Sequence, residues 1–430
     1  MISVAIAILL GSFFLLVMLR VSISFALIMA SVLTCLYLGL PPAAVAQRMV
    51  NGVNKVALLA VPFFIFAGQI MGAGGISQRL VDFSRVLVGR FRGGLAMVNV
   101  LTSMFFGGIS GSSVADTSSI GSIMIPIMKR DGYDADYSTS VTIASSTQGI
   151  LIPPSHNMII YGLAAGVNVS VGMMFLGGLV PGVILGLAVM VLSYVIAVRR
   201  NYPKGEPIGL KDSLRIIKDA SLGLLTPLII VGGVLTGIFT ATESAAIACV
   251  WASIVSFFLY REIPFSEMHE IMKKTFKTLI IVLPLIAAAN AYGWLLAYLR
   301  VPRVASAFLL GLSDNKYIIL LIINGILLVL GMIMDMAPLI LIGTPIFLPV
   351  AMGIGLHPVH FGIVMMLNLA IGLITPPVGV TLFVGSTVGK VPIEKLFRST
   401  IPFYAVMILV LLAITYIPGI VMFVPTLLMK

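Results

Sequence analysis

Two proline pairs interrupt apolar stretches that are otherwise long enough to cross a membrane. Pro153 and Pro154 fall inside one stretch, and Pro376 and Pro377 fall inside another. Because proline donates no backbone hydrogen bond and clashes with the preceding turn, a helix must break at each pair. A break frees backbone carbonyls at membrane depth, which is tolerated only where protein buries them or water reaches them. Two such breaks in one chain indicate a binding site for an ion or a substrate.

The composition is that of a membrane protein. Of the 430 residues, 60% are hydrophobic and 10% are charged, and the mean hydropathy is +1.15. The apolar residues come in runs of roughly 18–25, the length that spans a bilayer. We therefore predict an all-α polytopic membrane protein with about ten full transmembrane helices and two re-entrant helical hairpins. The predicted full spans are residues 1–19, 22–40, 56–74, 138–165, 173–198, 222–240, 244–260, 278–298, 361–388 and 400–424.

The two hairpins are predicted from apolar regions with polar, glycine-rich centres. They cover about residues 94–128 and 317–353. With the N-terminus outside, this arrangement places 20 of the 26 basic residues on the cytoplasmic side, as the positive-inside rule requires. Both termini then lie outside. The same loop placement accounts for the net charge of +11 without a nucleic-acid partner.

An internal repeat relates the two proline breaks at an offset of 223 residues. The offset aligns three prolines and five glycines of residues 108–167 with prolines and glycines of the second half. Each copy contains a span, a hairpin, a broken span and a further span, and the copies are inverted, as in many secondary transporters. The predicted divisions are scaffold helices at 1–55, a first repeat at 56–198 with its broken helix at 138–165, a connector with central scaffold helices at 199–277, and a second repeat at 278–430 with its broken helix at 361–388.

Two loops are basic and amphipathic. In the loop at 199–218, apolar residues alternate with basic residues at helical spacing, and the loop at 262–277 has a similar composition. This pattern predicts helices that lie on the inner membrane surface. A solvated cytoplasmic connector is the alternative, because basic inner loops are common.

Polar residues gather at the hairpin tips and at the breaks. Hydroxyls and freed carbonyls supply the oxygen ligands that a hard monovalent cation takes, and ionisable groups inside a membrane are usually functional. Free N–H groups at the helix N-termini of the tips favour a carboxylate. We predict two sodium sites, each between a hairpin tip and the adjacent break, with the substrate between the two tips and no other metal. The first sodium site is assigned to Gly108, Ser110, Ser112, Ser113, Ser145, Gly149 and Pro153, the second to Gly331, Asp335, Ala337, Gly372, Thr375 and Pro376, and the substrate site to Ser112, Asp116, Ser155, Asn157, Asp335 and Thr375.

Some of these residues have simpler interpretations. A single membrane serine often bonds to its own backbone, Asp335 can lie at the aqueous surface of its hairpin, and His156 can be a structural histidine. Glu243 is either a helix cap or interfacial residue, or a contact that holds the mobile part to a frame. A different function is an intramembrane serine protease that uses Ser110 and His156, although this leaves the repeat unexplained. An ion channel is a third alternative.

Three motifs carry a resemblance to a known family. They are Gly237-Ile-Phe-Thr-Ala-Thr-Glu-Ser-Ala-Ala246, Ile152-Pro-Pro-Ser-His-Asn-Met-Ile-Ile-Tyr-Gly162 and Thr375-Pro-Pro-Val-Gly-Val-Thr-Leu-Phe-Val384. They resemble the large membrane subunit of tripartite ATP-independent periplasmic (TRAP) transporters, the DctM-like branch of the ion transporter superfamily. The resemblance implies a sodium-driven symporter of the bacterial inner membrane and not an enzyme, in which a transport domain moves as an elevator against a scaffold. In that membrane, the outer side on which the basic residues place both termini is the periplasm.

The resemblance further implies partners and a substrate class. The expected partners are a separate small four-helix membrane subunit and a periplasmic substrate-binding protein, in addition to the lipid bilayer. The expected substrate is an organic carboxylate such as sialic acid or a C4-dicarboxylate, and the overall likeness favours sialic acid. Sodium ions are the expected coupling ions, and no cofactor is expected. The sequence contains no Gly-x4-Gly-Lys-Ser/Thr motif for ATP, which fits gradient-driven transport.

Overall fold

The structure, a computed structural model, describes residues 2–166 and 169–428. Within these residues every regular element is helical, apart from an isolated bridge between Arg92 and Lys204. Seven of the described helical segments are long and apolar enough to cross a membrane, and seven further apolar helices are shorter. The all-α membrane architecture predicted from the sequence is confirmed.

The first half of the chain forms helices α1 to α10. One-turn 3-10 segments at Val56–Leu59 and Thr147–Ile150 precede α4 and follow α8. The bounds are α1 Ile2–Met18, α2 Ile23–Tyr37, α3 Ala43–Val53, α4 Ala60–Ala73, α5 Ile76–Val88, α6 Gly94–Ser110, α7 Ser113–Arg130, α8 Ala135–Ser146, α9 His156–Ala165 and α10 Val171–Arg199.

The second half of the chain forms helices α11 to α20. A π-helical turn at Ile254–Leu259 continues α12, and a 3-10 turn at Phe265–Glu267 precedes α13. The bounds are α11 Leu210–Leu235, α12 Ala241–Ser253, α13 Met268–Tyr298, α14 Val301–Leu310, α15 Lys316–Ile333, α16 Met336–Gly353, α17 Pro358–Leu373, α18 Val380–Gly389, α19 Ile393–Tyr416 and α20 Pro418–Leu428.

Both hairpins and both broken spans are present where the sequence predicts them. The helices α6 and α7 form the first hairpin, and α15 and α16 form the second. The first break separates α8 from α9, and the second separates α17 from α18. The Pro153–Pro154 and Pro376–Pro377 peptide bonds are both cis.

The two repeats interlock. Helix α7 of the first hairpin packs against α18, which follows the second break, and α16 of the second hairpin packs against α9, which follows the first break. Helices α10 and α19 occupy matching positions in the two repeats and pack against each other. We call this bundle, α6–α10 with α15–α20, the core group. The frame group consists of α1–α4 and α11–α13, and its long helix α13 also contacts α16 of the core group.

The bundle has two distinct ends. At one end, Arg200 after α10 forms an ion pair with Asp134 before α8, with 2.8 Å between Nη1 and Oδ2. We call this the basic end, because loops that carry Arg92, Arg200 and Lys395 meet there. At the opposite, far end, the Tyr161 hydroxyl donates to the carbonyl of Pro358 at 2.7 Å. This bond joins the end of the first broken span to the start of the second.

Two predictions about individual helices are wrong. The span predicted at 400–424 is two helices, since α19 ends at Tyr416 and α20 begins at Pro418, where proline suits the first turn of a new helix. The amphipathic segments at 199–218 and 262–277 are not separate surface helices. Their helical parts are the first turns of α11 and α13, which continue directly into the apolar spans.

Helix α3 and two further short helices, α5 and α14, were not predicted. Helix α5 leads into the first hairpin and α14 leads into the second, and the offset of 223 places residue 76 at residue 299, next to the start of α14. The buried side chains of α5, which include Ile76, Leu80, Val81 and Ser84, share one helical face. These amphipathic helices connect the frame group to the hairpins of the core group.

Candidate functional site

The tip of the first hairpin rests directly on the backbone of the first break. Gly111 lies at the turn with φ +59°, a conformation that costs glycine little. A side chain there would come 2.7 Å from the carbonyl oxygen of Pro154 and 2.9 Å from the Cα of Ser155. A methyl group on Gly108 would lie 3.3 Å from the carbonyl oxygen of Pro153. The hairpin-tip residues predicted for the first sodium site therefore lie against the backbone of the first break.

Glycine pairs let each hairpin cross its broken helix at backbone contact. A methyl group on Gly149 would lie 2.8 Å from the Cα of Gly107. In the second repeat, a methyl group on Gly372 would lie 2.6 Å from the carbonyl carbon of Gly331. Three of these four glycines belong to the predicted sites, and Gly107 was missed by one position. Close crossing brings the freed carbonyls of each break next to the hairpin tip.

A buried cluster of hydroxyl groups joins the first tip to both breaks. The Ser113 Oγ lies 2.6 Å from the Ser146 Oγ and 3.2 Å from the Thr381 Oγ1. Ser113 belongs to the first hairpin, Ser146 to the helix before the first break, and Thr381 to the helix after the second break. All three side chains are buried. The two repeats therefore contribute oxygens to one place, which we call the hydroxyl cluster.

A second polar chain runs deeper between the helices of the first repeat. The Ser145 hydroxyl donates to Ser103 at 3.1 Å, and the Ser103 hydroxyl donates to Asp116 Oδ1 at 3.2 Å. Asn99 donates to Thr142 at 2.7 Å in the same interface. The Asp116 carboxylate, predicted as a substrate ligand, is fully buried against α6, and its Oδ2 has no hydrogen-bond partner among the described residues.

The remaining residues predicted for the first tip differ in exposure. Ser112 caps α7 by accepting from the Ala115 N–H at 3.4 Å, and Ser110 accepts from the Ser112 N–H at 3.4 Å. Ser155 and Asn157 are buried beside the tip, and the Ser155 hydroxyl has no partner within the described part of the chain. The free Ser155 oxygen is thus available to a ligand.

The second tip contacts its break through the backbone. The N–H groups of Val378 and Gly379 donate to the carbonyl of Met332 at 3.0 and 3.4 Å. Asp335 occupies the N-cap position of α16 and is exposed, with no side-chain capping bond. This exposure agrees with the simpler interpretation of Asp335 as a residue on its hairpin's open surface, and it also leaves the carboxylate free for a ligand.

The other residues of the second predicted site are held less directly. The Thr375 hydroxyl donates to its own helix at the Ile371 carbonyl, at 2.6 Å. Ala337 is buried in the first turn of α16, and Pro376 is half-buried in the break. No hydrogen bond among the described residues joins Asp335 to Thr375. The second site is therefore defined by its backbone and by the exposed Asp335.

A buried amide pair in the second repeat matches the serine pair of the first. The offset of 223 places Ser145 at Asn368, and the Asn368 amide donates to Asn324 Oδ1 at 3.0 Å. Asn324 in turn donates to Thr415 at 3.1 Å. Both repeats therefore fasten the first helix of the hairpin to the broken helix through a polar pair, although the side chains differ.

Two further residues have defined structural roles. Glu243 forms a capping box with Thr240, whose N–H and hydroxyl donate to its carboxylate at 2.8 and 2.9 Å, which confirms the cap interpretation. The hydroxyl of Ser110 and the imidazole of His156 form no hydrogen bond with each other in the described residues, so the protease alternative has no catalytic contact.

The donor set suits a monovalent cation. Hydroxyl and carbonyl oxygens surround the first tip, and two buried oxygens there, Ser155 Oγ and Asp116 Oδ2, lack partners in the described residues. Those residues contain no group of three or more His, Cys, Asp or Glu side chains that could hold a metal ion. Oxygen donors of this kind suit a hard cation and not a soft transition metal.

Comparison with known proteins shows the family. Residues 10–420 match the family described as tripartite ATP-independent periplasmic transporter, DctM component. The chain is 42% identical to the uncharacterized protein YgiK of Salmonella typhimurium, over 98% of this chain and 97% of that one. It is 39% identical to the isethionate TRAP transporter permease protein DctMQ of Oleidesulfovibrio alaskensis, over 97% of this chain and 66% of that one.

Two further comparisons agree. The chain is 37% identical to the sialic acid TRAP transporter large permease protein SiaM of Vibrio cholerae, over 89% of each chain. The crystal structure of the YdaH transporter of Alcanivorax borkumensis has the same fold, with a TM-score of 0.63, 14% identity and 86% of each chain covered. The relatives named for their activity are permease subunits and not enzymes. The chain belongs to the DctM family and is a multi-pass large permease subunit of a TRAP transporter.

Proposed function

We propose that this subunit imports an organic carboxylate by symport with sodium ions. The observation that carries the proposal is the hydroxyl cluster, in which Ser113, Ser146 and Thr381 bring the two repeats together beside two interrupted helices. A buried cluster of this kind needs a ligand or strict pairing to offset the loss of water. A bound sodium ion supplies a positive charge that these partly negative oxygens coordinate.

The two sodium sites follow the two breaks. The first lies between the first tip and break and uses oxygens of the hydroxyl cluster, Ser113, Ser146 and Thr381. Ser145, Ser155 and carbonyls near Pro153 complete it. The second lies where Gly331 crosses Gly372 and uses carbonyls of the second break together with Asp335. Both sites sit where the chain leaves the helix, so their carbonyl oxygens are not all engaged in helical hydrogen bonds.

The substrate site lies between the tips. Four helices, α7, α9, α16 and α18, begin at the tips or just beyond the breaks. Free N–H groups and the helix dipole make such N-termini favourable for a carboxylate. Asp335 faces open space beside them, and it accepts a hydrogen bond from a substrate hydroxyl or completes the ligands of sodium.

The relatives do not select one substrate. One is named for isethionate and another for sialic acid, at 39% and 37% identity. We propose a carboxylate such as sialic acid or a C4-dicarboxylate, with sialic acid as the first to test. The small differences in identity carry no weight in that choice.

The mechanism we propose is an elevator movement in the bacterial inner membrane. The core group carries both tips and both breaks. It contacts the frame group where α16 packs on α13, where α6 and α9 pack on α4, and through the amphipathic helices α5 and α14. A small four-helix subunit widens the frame, and a periplasmic binding protein delivers the substrate at the far end. The basic end faces the cytoplasm, which places both termini in the periplasm.

Uptake by reconstituted protein tests the proposal. The chain and its small subunit are placed in liposomes, and uptake of labelled N-acetylneuraminate or succinate is measured with its binding protein outside. We expect accumulation against a gradient that requires both an inward sodium gradient and the binding protein. Uptake at the same rate with and without a sodium gradient contradicts the symport proposal. Uptake that stops when the internal and external substrate concentrations are equal indicates a channel.

A further inference from the structure

A cavity lies between the frame group and the core group at the far end. Its volume is about 300 Å³. On the frame side it is lined by Lys55, which follows α3, and by Asn290 and Trp294 of α13. On the core side it is lined by Leu163 of α9 and Pro345 of α16, among others. The cavity therefore has one polar, positively charged wall and one apolar wall.

The cavity is in line with the hairpin tips. Leu163 is seven residues beyond His156, about 10 Å along α9, and Pro345 is nine residues beyond Met336, about 13 Å along α16. The same two helices begin at the first break and at the second tip. The cavity thus lies outward of the proposed substrate site, on the side from which substrate arrives.

The charged wall is available to an anion. No carboxylate lies within ion-pair distance of Lys55 among the described residues. Thr242 donates to the carbonyl of Val56 at 3.4 Å, which brings the first turn of α12 next to Lys55. The carboxylate of Glu243 in that turn is bound by Thr240. The ammonium group therefore has no competing partner in this part of the chain.

The neighbouring residues hold the wall in place. A methyl group on Gly52 would lie 2.5 Å from the Cβ of Asn290, so α3 packs closely against α13. The Arg48 guanidinium carbon lies 5.0 Å from the centre of the Trp294 ring, within the range of a cation–π interaction. Arg48 and Lys55 thus flank Trp294 with two positive charges.

We propose that this cavity, here called the Lys55 cavity, is a low-affinity site that holds the anionic group of the substrate before it reaches the hairpin tips. Lys55 binds the carboxylate, Asn290 donates a hydrogen bond, and Trp294 packs against the remainder of the molecule. This role in uptake rests on the proposed import function, but binding to the cavity is measurable without sodium or transport.

Tryptophan fluorescence tests the binding directly. The chain has two tryptophans, Trp251 and Trp294, so Trp251→Phe leaves Trp294 as the single reporter. The purified full chain is titrated in sodium-free buffer with N-acetylneuraminate, succinate and isethionate. We expect at least one of them to change the emission saturably, with half-saturation on the order of millimolar.

Two variants decide whether the site is the Lys55 cavity. Lys55→Gln is expected to weaken the response about tenfold, the effect of losing one charge-assisted hydrogen bond, whereas Lys55→Arg retains it. Asp335→Asn at the second tip is expected to leave the response unchanged. No saturable change with any of the three anions, an unchanged response in Lys55→Gln, or loss of the response in Asp335→Asn would overturn the proposal.

An uptake assay separates this inference from the import function. In proteoliposomes, Lys55→Gln is expected to raise KM about tenfold at unchanged kcat. Sodium-independent uptake with an intact fluorescence response contradicts symport and leaves the cavity supported. Sodium-dependent uptake without the fluorescence response contradicts the cavity alone.

Discussion

The Tyr404 hydroxyl donates a hydrogen bond of 2.5 Å to the carbonyl oxygen of Ile374, where α17 gives way to the second break. The offset of 223 places Tyr404 at Pro181 and Ile374 at Leu151. In the first repeat the Leu151 carbonyl packs closely against Gly178 instead. The two breaks are therefore supported differently, one by a hydrogen bond from α19 and the other by close approach of α10.

Replacing Tyr404 with phenylalanine removes this support and keeps the ring. A buried carbonyl that loses its partner costs about 1–3 kcal/mol, and we expect the second break to loosen. Sodium activation of uptake is the measurement, and the half-activating sodium concentration should rise several-fold with little change in maximal rate. In the control Tyr416→Phe, the lost bond is to the exposed Tyr317 carbonyl at 3.0 Å, and the sodium curve should not move. Identical curves for both variants contradict the role of Tyr404.

The glycine crossings predict a sharp difference between two alanine substitutions. Gly372→Ala places a methyl group 2.6 Å from the backbone of Gly331, so the helices must separate, at a cost of about 1–3 kcal/mol. Gly325→Ala lies in the same hairpin as Gly331 and meets nothing within 4 Å, so it should stabilise α15 by about 0.5–1 kcal/mol. Thermal unfolding in detergent should show a lower midpoint for Gly372→Ala and an equal or higher one for Gly325→Ala. The reverse order would contradict the crossing geometry.

Removing one hydroxyl from the hydroxyl cluster tests the first sodium site. Thr381→Val keeps the side-chain shape and deletes the oxygen that lies 3.2 Å from Ser113 Oγ. We expect weaker sodium activation of uptake, by about tenfold, the effect of losing one ligand-binding oxygen. The control is Ser118→Ala, whose hydroxyl is exposed and bonds to its own helix at the Val114 carbonyl. If Thr381→Val responds to sodium as the native protein does, Thr381 is not part of the site.

The sequence predicted those parts of the site that depend on single residues or on residues close together in the chain. Proline pairs mark the breaks, and glycines at a fixed offset mark the crossings, because both effects act through the backbone at their own positions. Ser113 was also predicted, since it follows a tip that glycine and serine identify.

The sequence did not predict partners that lie far apart in the chain. Thr381 is 268 residues from Ser113, and no spacing rule connects them until the repeats are seen to interlock. Ser103 and Asn99 lie in an apolar helix, where a single polar residue usually bonds to its own backbone. Helices α3, α5 and α14 were missed because they are shorter than the roughly 20 residues that span a bilayer.

The basic end offers a pH-dependent prediction. Tyr202 donates to Asp134 at 2.6 Å and Arg200 pairs with it at 2.8 Å. The Tyr202 hydrogen bond, followed by Arg200, lowers the pKa of Asp134 below its ordinary value of 3.8. Because the pKa is lowered in the folded state, the stabilisation is present above that ordinary value and is lost as the pH falls through the lowered pKa. The Asp134 side chain is 55% exposed, so the effect is below about 1 kcal/mol.

Tyr202→Phe removes the hydroxyl while keeping the ring, which stacks on Tyr133 with centroids 4.4 Å apart. We expect its unfolding midpoint to lie below that of the native protein by a constant amount from about pH 6 to 8, and the difference to shrink below about pH 4 as Asp134 is protonated. Tyr194→Phe, on an exposed part of α10, is the control and should show no difference at any pH. A difference that grows on acidification would mean that Asp134 is not stabilised as an anion, because protonation would then strengthen the contact that Tyr202 makes.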